Sequence, residues 1–445
     1  MRVIIVGAGE VGSNIAASLA ESHDVIVIDV DPEKVEKLTY SSDVLAIEGD
    51  GTSLEILEDA GIGEADMLIA STDRDETNLV TCGTAKTVGD IFTIARVRSA
   101  NFLDTWAQSE GAFGVDFMVS TNLLTANDIV RVVGLPAAVD VDPFSGGLVQ
   151  MAEFEVTADS EIAGRTVEEA DKFEALTFAA LVQSGDVVIA SGPTQIEAGD
   201  KAIVIGSPES VQAFSRTVAP ARTPAEARDI VIVGGSDIGH HTAKLLEERG
   251  LEPRLIEQDA ERGRQLAEDL PGTIVLEHDA TDVEFLVSEH VDRADAVIAV
   301  TDSDEKNLLV SLLAKNIGVR RTVAVVEEGQ YANLFEAVGI DVAINPREAT
   351  AEEIVRFTQE GQIENLSLIE GRQAEVLEIE VDEESILTGR PIRESIGELP
   401  SEVVIGAITR NQEFVVPRGD TVVEPGDHVV LFVSADVLSA VMNVV

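Results

Sequence analysis

The chain has 445 residues, 82 of them acidic and 31 basic, for a formal net charge of −51, with 45% hydrophobic residues and a single cysteine, Cys82. That charge excludes nucleic acid as a partner, because phosphate binding needs Lys and Arg to release counterions. One cysteine excludes a disulfide framework and any multi-cysteine metal site, and no apolar run approaches the roughly 18–20 residues of a membrane span.

The apolar content and regular patterning argue against disorder, which high net charge otherwise favours. An acidic, lysine-poor surface is instead expected of a protein adapted to concentrated salt. At 1 M salt the Debye length is about 3 Å, so like charges no longer repel at range.

The N-terminus opens directly on a strand pattern, Arg2-Val3-Ile4-Ile5-Val6, without the basic and long apolar segments of a leader, and a cytoplasmic location is expected. A glycine turn follows at once, Gly7-Ala8-Gly9-Glu10-Val11-Gly12, and opens a helical pattern. In this context Gly7 permits the tight turn, Gly9 lets backbone approach a pyrophosphate, and Gly12 lets helix pack on strand. The pyrophosphate would meet the free N–H groups and positive end of the helix. Asp29 ends the second strand, where its carboxylate can accept from both adenosine ribose hydroxyls and repel a 2′-phosphate. NAD or NADH is therefore expected over the phosphorylated cofactor, the alternative being a merely structural turn.

Strands are predicted at 2–6, 25–29, 44–48, 66–71 and 92–96, with amphipathic helices between them. Near-continuous apolar strands alternating with helices mean a parallel, doubly wound sheet. Asp50 follows the third strand and Thr72-Asp73 the fourth, where they could touch adenine or ribose or cap the next helices. Asp75 and Glu76 have the plainer reading of first-turn acids complementing a helix dipole. Arg98, just past the fifth strand, could pair with a ligand or with a neighbouring carboxylate.

The pattern then changes to strand-like alternation with glycine turns over 151–218, including Glu197-Ala198-Gly199-Asp200. Ala219–Arg228 (APARTPAEAR) has a linker's composition, and after it the first pattern returns. VIIVGAGEVGSNIA at 3–16 matches IVIVGGSDIGHHTA at 230–243, and DMLIASTDRDETNL at 66–79 matches DAVIAVTDSDEKNL at 295–308. Register this constant marks a duplicated domain.

The second turn, Gly234-Gly235-Ser236-Asp237-Ile238-Gly239, replaces the middle glycine by Ser236, whose side chain is expected to crowd an approaching phosphate. Glu257 stands where Asp29 did, Asp279 where Asp50 did, Thr301-Asp302 where Thr72-Asp73 did, and Glu327 opposite Arg98. A working site, a shorter ligand and a structural relic all remain open here. Residues 373–445 repeat the smaller pattern, with Glu424-Pro425-Gly426-Asp427 before a last strand.

The expected fold class is therefore α/β: two tandem Rossmann-like doubly wound parallel sheets, each followed by a small α+β lobe. The expected boundaries are 1–148, 149–218, a linker at 219–228, 229–366 and 367–445. No Gly-x-Ser-x-Gly elbow, His-Glu-x-x-His helix or Walker lysine occurs, and none of the six histidines has an evident catalytic partner. His240-His241 as a metal pair is disfavoured, because adjacent residues on a helix point apart. Binding without turnover fits better than an NAD-dependent oxidoreductase.

With repeat, turns and lobes in place, the chain resembles the TrkA family, the peripheral nucleotide-binding subunits of Trk potassium uptake systems, over nearly its whole length. The resemblance rests on GAGEVG with Asp29, ASTDRDETNL, the run Ala95-Arg96-Val97-Arg98, VGGSDIG, AVTDSDEKNL and the two EAGD/EPGD lobes. It implies two pairs of regulator-of-potassium-conductance N and C subdomains, and a homo-oligomeric ring on the inner face of the membrane that gates an integral-membrane potassium transporter. It places one cofactor at Gly7–Gly12, Asp29, Thr72-Asp73 and Arg98, and a second at Gly234–Gly239, Glu257 and Thr301-Asp302. The ligands it implies are NAD or NADH, with ATP or ADP as alternatives.

Overall fold

The computed structural model describes residues 1–445 except 21, 110–111, 136–137, 219–228, 359–364, 370–372, 384, 401 and 443–445, so the expected linker at 219–228 lies outside the described residues. The chain forms two compact units, each assembled from both halves of the sequence: Met1–Val130 with Arg228–Phe357, and Arg131–Ala227 with Thr358–Val445.

The first unit holds two six-stranded parallel sheets. One consists of β1 (Arg2–Val6), β2 (Asp24–Asp29), β3 (Leu45–Glu48), β4 (Met67–Ala70), β5 (Phe92–Val97) and β6 (Phe117–Ser120), in the spatial order β3-β2-β1-β4-β5-β6. The sixth strand escaped the sequence reading. Its four residues run straight into the helix Thr121–Gly134 with no glycine or proline to mark an end. This is the Rossmann order, whose switch point between β1 and β4 opens a crevice at the carboxyl ends of the strands. Val3, Ile4, Ile5, Leu68, Ile69 and Ala70 are fully buried, as strands covered on both faces require.

The second sheet, numbered onward past the smaller lobe, is β12 (Ile230–Val233), β13 (Arg254–Glu257), β14 (Ile274–Glu277), β15 (Ala296–Ala299), β16 (Thr322–Val325) and β17 (Val342–Ile344) in the same relative order. The two Rossmann-like domains pack through their last helices, Thr121–Gly134 and Pro346–Thr358. The Phe357 ring stacks on Phe117, with centroids 3.9 Å apart, and on Phe92 at 5.5 Å. Thr350 Oγ1 donates to Thr121 Oγ1 at 3.0 Å between buried side chains, and the Arg249 guanidinium reaches Val130 O at 3.3 Å.

The second unit contains two five-stranded antiparallel sheets. The first is β7 (Ala138–Phe144), β8 (Val149–Glu155), β9 (Leu176–Gln183), β10 (Asp186–Ile189) and β11 (Lys201–Gly206), ordered β10-β9-β11-β8-β7. The second is β18 (Asn365–Ile369), β19 (Ala374–Glu380), β20 (Val403–Arg410), β21 (Glu413–Val415) and β22 (His428–Ser434), ordered β18-β19-β22-β20-β21. β7 pairs with β8, so the change of sheet comes before residue 148. One buried cluster joins Phe144, Met151 and Ile203 of the first lobe to Val376, Ala407 and Phe432 of the second, so the lobes share a core. Each Rossmann-like domain is thus followed in sequence by a lobe of the other unit.

Candidate nucleotide clefts

Gly7 ends β1 at φ +111°, with the space for a Cβ only 3.0 Å from Thr72 N. At Gly12 a Cβ would lie 1.8 Å from Gly7 O, so the close packing of helix on turn requires glycine there. Gly9 differs. A Cβ there would meet nothing within 4 Å. The protein itself makes no use of that missing side chain, which fits a ligand approaching the backbone. Gly9 is also the N-cap of the helix Glu10–Leu19 and supplies no side-chain cap, so first-turn N–H groups stay available.

Asp29 closes on this turn. Its Oδ2 accepts the Ala8 N–H at 2.5 Å and its Oδ1 the Asp31 N–H at 2.8 Å. A carboxylate has about four acceptor positions, so capacity for a ribose hydroxyl remains. Asp50 accepts from Thr52 N at 2.9 Å and Thr52 Oγ1 at 2.7 Å, and the backbone bond foremost holds its pKa below the usual carboxylate range. Thr72 binds Asn78 Oδ1 through N at 2.9 Å and Oγ1 at 2.6 Å, while Asn78 Nδ2 donates to Arg96 O at 2.8 Å, tying β4 to β5.

Thr72 and Asp73 do not cap the next helix, since Arg74 occupies the N-cap position. Asp75 holds the loop after β5 by accepting from Arg98 N at 3.0 Å and Ser99 N at 2.9 Å. It is therefore more than a dipole complement.

Gly7, Gly9, Glu10, Val11, Asp29, Asp50, Thr72 and Asp73 line one cleft of about 760 Å³ at the carboxyl ends of the strands. That is ample within the roughly 300–1,000 Å³ of small-molecule sites. Ala8 and Gly12, in the same turn, are not part of its lining. Four cations absent from the sequence-based set also line it: Lys34, Arg74, Arg96 and Arg347. Arg96 is 2% exposed; burial, then the neighbouring Arg98, lowers its pKa below the ordinary guanidinium value. Its Nε donates to Thr121 Oγ1 at 3.1 Å and its Nη1 lies 3.2 Å from Asp73 Oδ1. An arginine inside an otherwise apolar strand was the available signal for it. Arg347 comes from the other Rossmann-like domain, and nothing local in the sequence announces it.

Arg98 lands elsewhere. Its guanidinium lies 3.4 Å from Asp73, but the side chain lines a separate cleft of about 220 Å³ with Asn122, Ser236, Asp237, Ile238, Thr301, Asp302 and Glu327. The chain turns after β5, where Asp75 holds the Arg98 N–H, and this aims Arg98 at the second glycine turn.

The second turn repeats the geometry with changes. Gly234 has φ +109°, and a Cβ on Gly239 would lie 2.1 Å from Gly234 O. Glu257 Oε2 accepts the Gly235 N–H at 2.7 Å and Oε1 the Asp259 N–H at 2.7 Å. Ser236 does not point toward the phosphate position as expected. Its Oγ donates to Val300 O at 2.6 Å and accepts the Gly239 N–H at 3.3 Å, so the hydroxyl caps the helix and folds back into the domain. Thr301 binds Asn307 as Thr72 binds Asn78.

Side chains of the protein partly fill this second cleft. Arg262 Nε donates to Gly235 O at 2.7 Å and its Nη2 reaches Asp237 at 3.4 Å. Lys306, where the first copy has Thr77, bonds Gln258 Oε1 at 2.7 Å and pairs with Asp279 at 3.4 Å. The remaining space, lined by Gly234, Gly235, Ser236, Glu257, Thr301 and Asp302, is about 230 Å³, below the usual range for small-molecule sites. Among the described residues no cluster could hold a metal ion, and burial lowers the pKa of both His240 and His241. Among the described residues, too, no helix is long and apolar enough to cross a membrane.

Two family models match the sequence: the TrkA-N domain over residues 3–121 and 230–346, and the TrkA-C domain over 151–219 and 376–445. The Trk system potassium uptake protein TrkA homolog of Archaeoglobus fulgidus is 38% identical over 444 residues, covering 100% of both chains. Homolog 1 of Methanosarcina mazei is 37% identical over 99% of both. The TrkA protein of Halomonas elongata is 33% identical over 97% of this chain and 96% of its own. Among solved structures, the GsuK RCK domain superposes with TM-score 0.61 at 17% identity, covering 99% of this chain and 95% of that one. The GsuK channel bound to NAD gives 0.61 at 18%, covering 100% and 78%.

Proposed function

The chain belongs to the TrkA family of potassium-uptake proteins, a family of regulatory transport subunits and not of enzymes, and from that premise we propose that it senses NAD(H) in its first cleft and gates a potassium transporter. A role in regulating potassium transport goes with family membership. The nucleotide step is the new claim. One observation carries it: a cleft of about 760 Å³ at the switch point of the first sheet, floored by a Gly9 whose missing side chain the protein leaves unused.

In this reading the pyrophosphate rests on the N–H groups of Gly9–Gly12 and the ribose on Asp29, with Asp50, Thr72 and Asp73 along the adenosine side. Binding of NAD by a neighbour of the same fold is consistent with this, and ADP or ATP are the alternative ligands. The second cleft, at Gly234–Gly239 with Glu257, Asp279, Thr301 and Asp302, is assigned a subordinate role because Arg262 and Lys306 narrow it.

A ligand gates only by binding one arrangement of the assembly more tightly than another, and coupling of about 1–3 kcal/mol is typical. We assign the protein to the cytoplasmic face of the membrane as a ring-forming homo-oligomer on an integral-membrane potassium transporter. We keep the four-domain division proposed from the sequence, 1–148, 149–218, 229–366 and 367–445, with the first and third bounds moved earlier in the chain so that β7 and β18 fall within the lobes whose sheets they join.

The deciding experiment is potassium uptake by cells lacking this chain, complemented with the native sequence or with Asp29→Ala. Uptake that responds to nucleotide supply only with the native sequence supports the proposal. Equal responses refute it, as would turnover of any small substrate by purified protein with NADH.

A further inference from the structure

Glu10 lies in the first glycine turn, where a bound phosphate would sit, yet its carboxylate belongs to the other Rossmann-like domain's donors. Oε2 lies 3.0 Å from Arg347 Nη1, and Oε1 accepts from Asn345 Nδ2 at 3.2 Å and from Gly329 N at 3.3 Å. A Cβ on Gly329 would lie 2.4 Å from Glu10 Oε1 and 2.5 Å from Asn345 Nδ2, so a side chain there would push the carboxylate and its amide donor aside. Arg347 is further drawn by Glu327 at 3.5 Å and Glu328 at 3.9 Å. Burial opposes the charge on Arg347, and Glu10 and Glu327 outweigh that, so its pKa stands above the ordinary guanidinium value.

Two guanidinium nitrogens in this cleft carry no hydrogen-bond partner although buried: Nη2 of Arg96 and Nε of Arg347. Arg96 is anchored at Nε and Nη1 by Thr121 and Asp73, so its third nitrogen is fixed in place with its hydrogens unmet. A buried donor without an acceptor costs about 1–3 kcal/mol. Two of them on the wall of one cleft, one from each repeat, point to an acceptor-rich occupant. Guanidinium groups match phosphate oxygens in geometry and charge.

We propose that Arg96 and Arg347 are phosphate-binding residues of the first cleft, that Arg347 is supplied by the second repeat, and that Glu10 holds Arg347 as a resting partner which a nucleotide's phosphate displaces. The equivalent of Arg347 in the first repeat is Asn122, which lines the cleft beside the second glycine turn. At this helix position, therefore, only the first site receives a cation from its neighbour, and the cation beside the second glycine turn, Arg98, comes instead from the end of β5. The exchange links occupancy to the contact between the two Rossmann-like domains, because the donors released from Glu10 belong to the second domain. This deepens the proposed function and rests on it.

The test is NADH titration of the full chain by fluorescence, with ADP and adenosine as competitors. Arg347→Gln and Arg96→Gln are each expected to weaken NADH and ADP at least tenfold while changing adenosine competition less than twofold. Glu10→Gln frees Arg347 and removes a negative charge beside the phosphate, and is expected to tighten NADH and ADP at least threefold. A purely structural clasp predicts instead that Glu10→Gln and Arg347→Gln weaken binding alike, and that result overturns the inference. So does unchanged affinity in Arg347→Gln. Failure of the native chain to bind any of the three refutes the proposed function itself, which separates the two outcomes.

Discussion

The carboxylate of Asp29, at the end of β2, accepts the N–H of Ala8 in the middle of the first glycine turn at 2.5 Å. The second domain repeats the bond between Glu257 and Gly235 at 2.7 Å. The acid that ends the second strand therefore shapes the turn before any ligand arrives. A residue often regarded only as a ribose acceptor has a structural duty as well.

Asp29→Asn should show both roles. The amide keeps one acceptor oxygen where the carboxylate has two, so one of the N–H groups of Ala8 and Asp31 loses its partner. A loss of about 1–2 kcal/mol in unfolding free energy is expected, with at least a tenfold rise in the Kd for NADH. Chemical denaturation beside a fluorescence titration measures the two effects separately. A variant with normal stability and normal affinity contradicts both assignments.

Gly9 and Gly12 should respond in opposite ways to the same substitution. Gly9→Ala meets no atom within 4 Å and is expected to alter stability by no more than about 0.5 kcal/mol, yet to weaken NADH markedly. Gly12→Ala drives a methyl group into Gly7 O and should cost about 3 kcal/mol through overpacking. Thermal melts with and without NADH distinguish them.

The second cleft should take little or no nucleotide while the first is filled, giving one NADH per chain in calorimetry. Replacing Lys306 by Thr, the residue of the first copy, together with Arg262→Ala removes the two side chains that cross the space. A second binding event is expected in that double variant. Two equal sites in the native chain would contradict the asymmetry.

Asp427, on the turn before β22, receives two bonds of 2.7 Å from Arg410 and one of 2.9 Å from Glu424 N. Burial opposes its charge, but Arg410 foremost holds its pKa below the ordinary carboxylate value. A depressed pKa contributes stability that is present above about pH 4 and lost as pH falls through the folded value. Arg410→Ala should cost about 3 kcal/mol at neutral pH, the low end for a broken buried pair because the Glu424 N–H remains. Its acid unfolding should begin at higher pH than in the native chain, as followed by circular dichroism across pH 2–6. The first lobe satisfies Asp200 differently, with Gln183 Nε2 at 2.7 Å and Glu197 N at 2.8 Å, so Gln183→Ala should be milder.

Much of the fold was legible in the sequence because it depends on short-range pattern. The apolar runs of β1, β2, β4 and β5, the glycine turns and the offset that pairs Gly7 with Gly234 all follow from backbone sterics and burial within a few residues. The position of Asp29 after β2 belongs to the same class. β6 was missed because Phe117–Ser120 has neither the length nor the flanking breakers that mark a strand. Ser236 was misjudged because its type suggests a group in the cleft, whereas the rotamer is set by two partners in the fold, Val300 O and Gly239 N.

The sequence by itself determined the duplicated α/β plan, the order of glycine turns and acids, and the inequality between an intact first triad and a second with Ser236. Tertiary structure alone decided which half completes which site. Each compact unit draws on both repeats, so Arg347 reaches Glu10 across 337 residues of chain and Arg98 turns away toward the second glycine turn. The physical reason is the range of the interactions. Strand burial and turn sterics are encoded within a dozen residues, but a guanidinium finds its carboxylate only after two sheets have packed, and no periodicity in the chain records which one it will be.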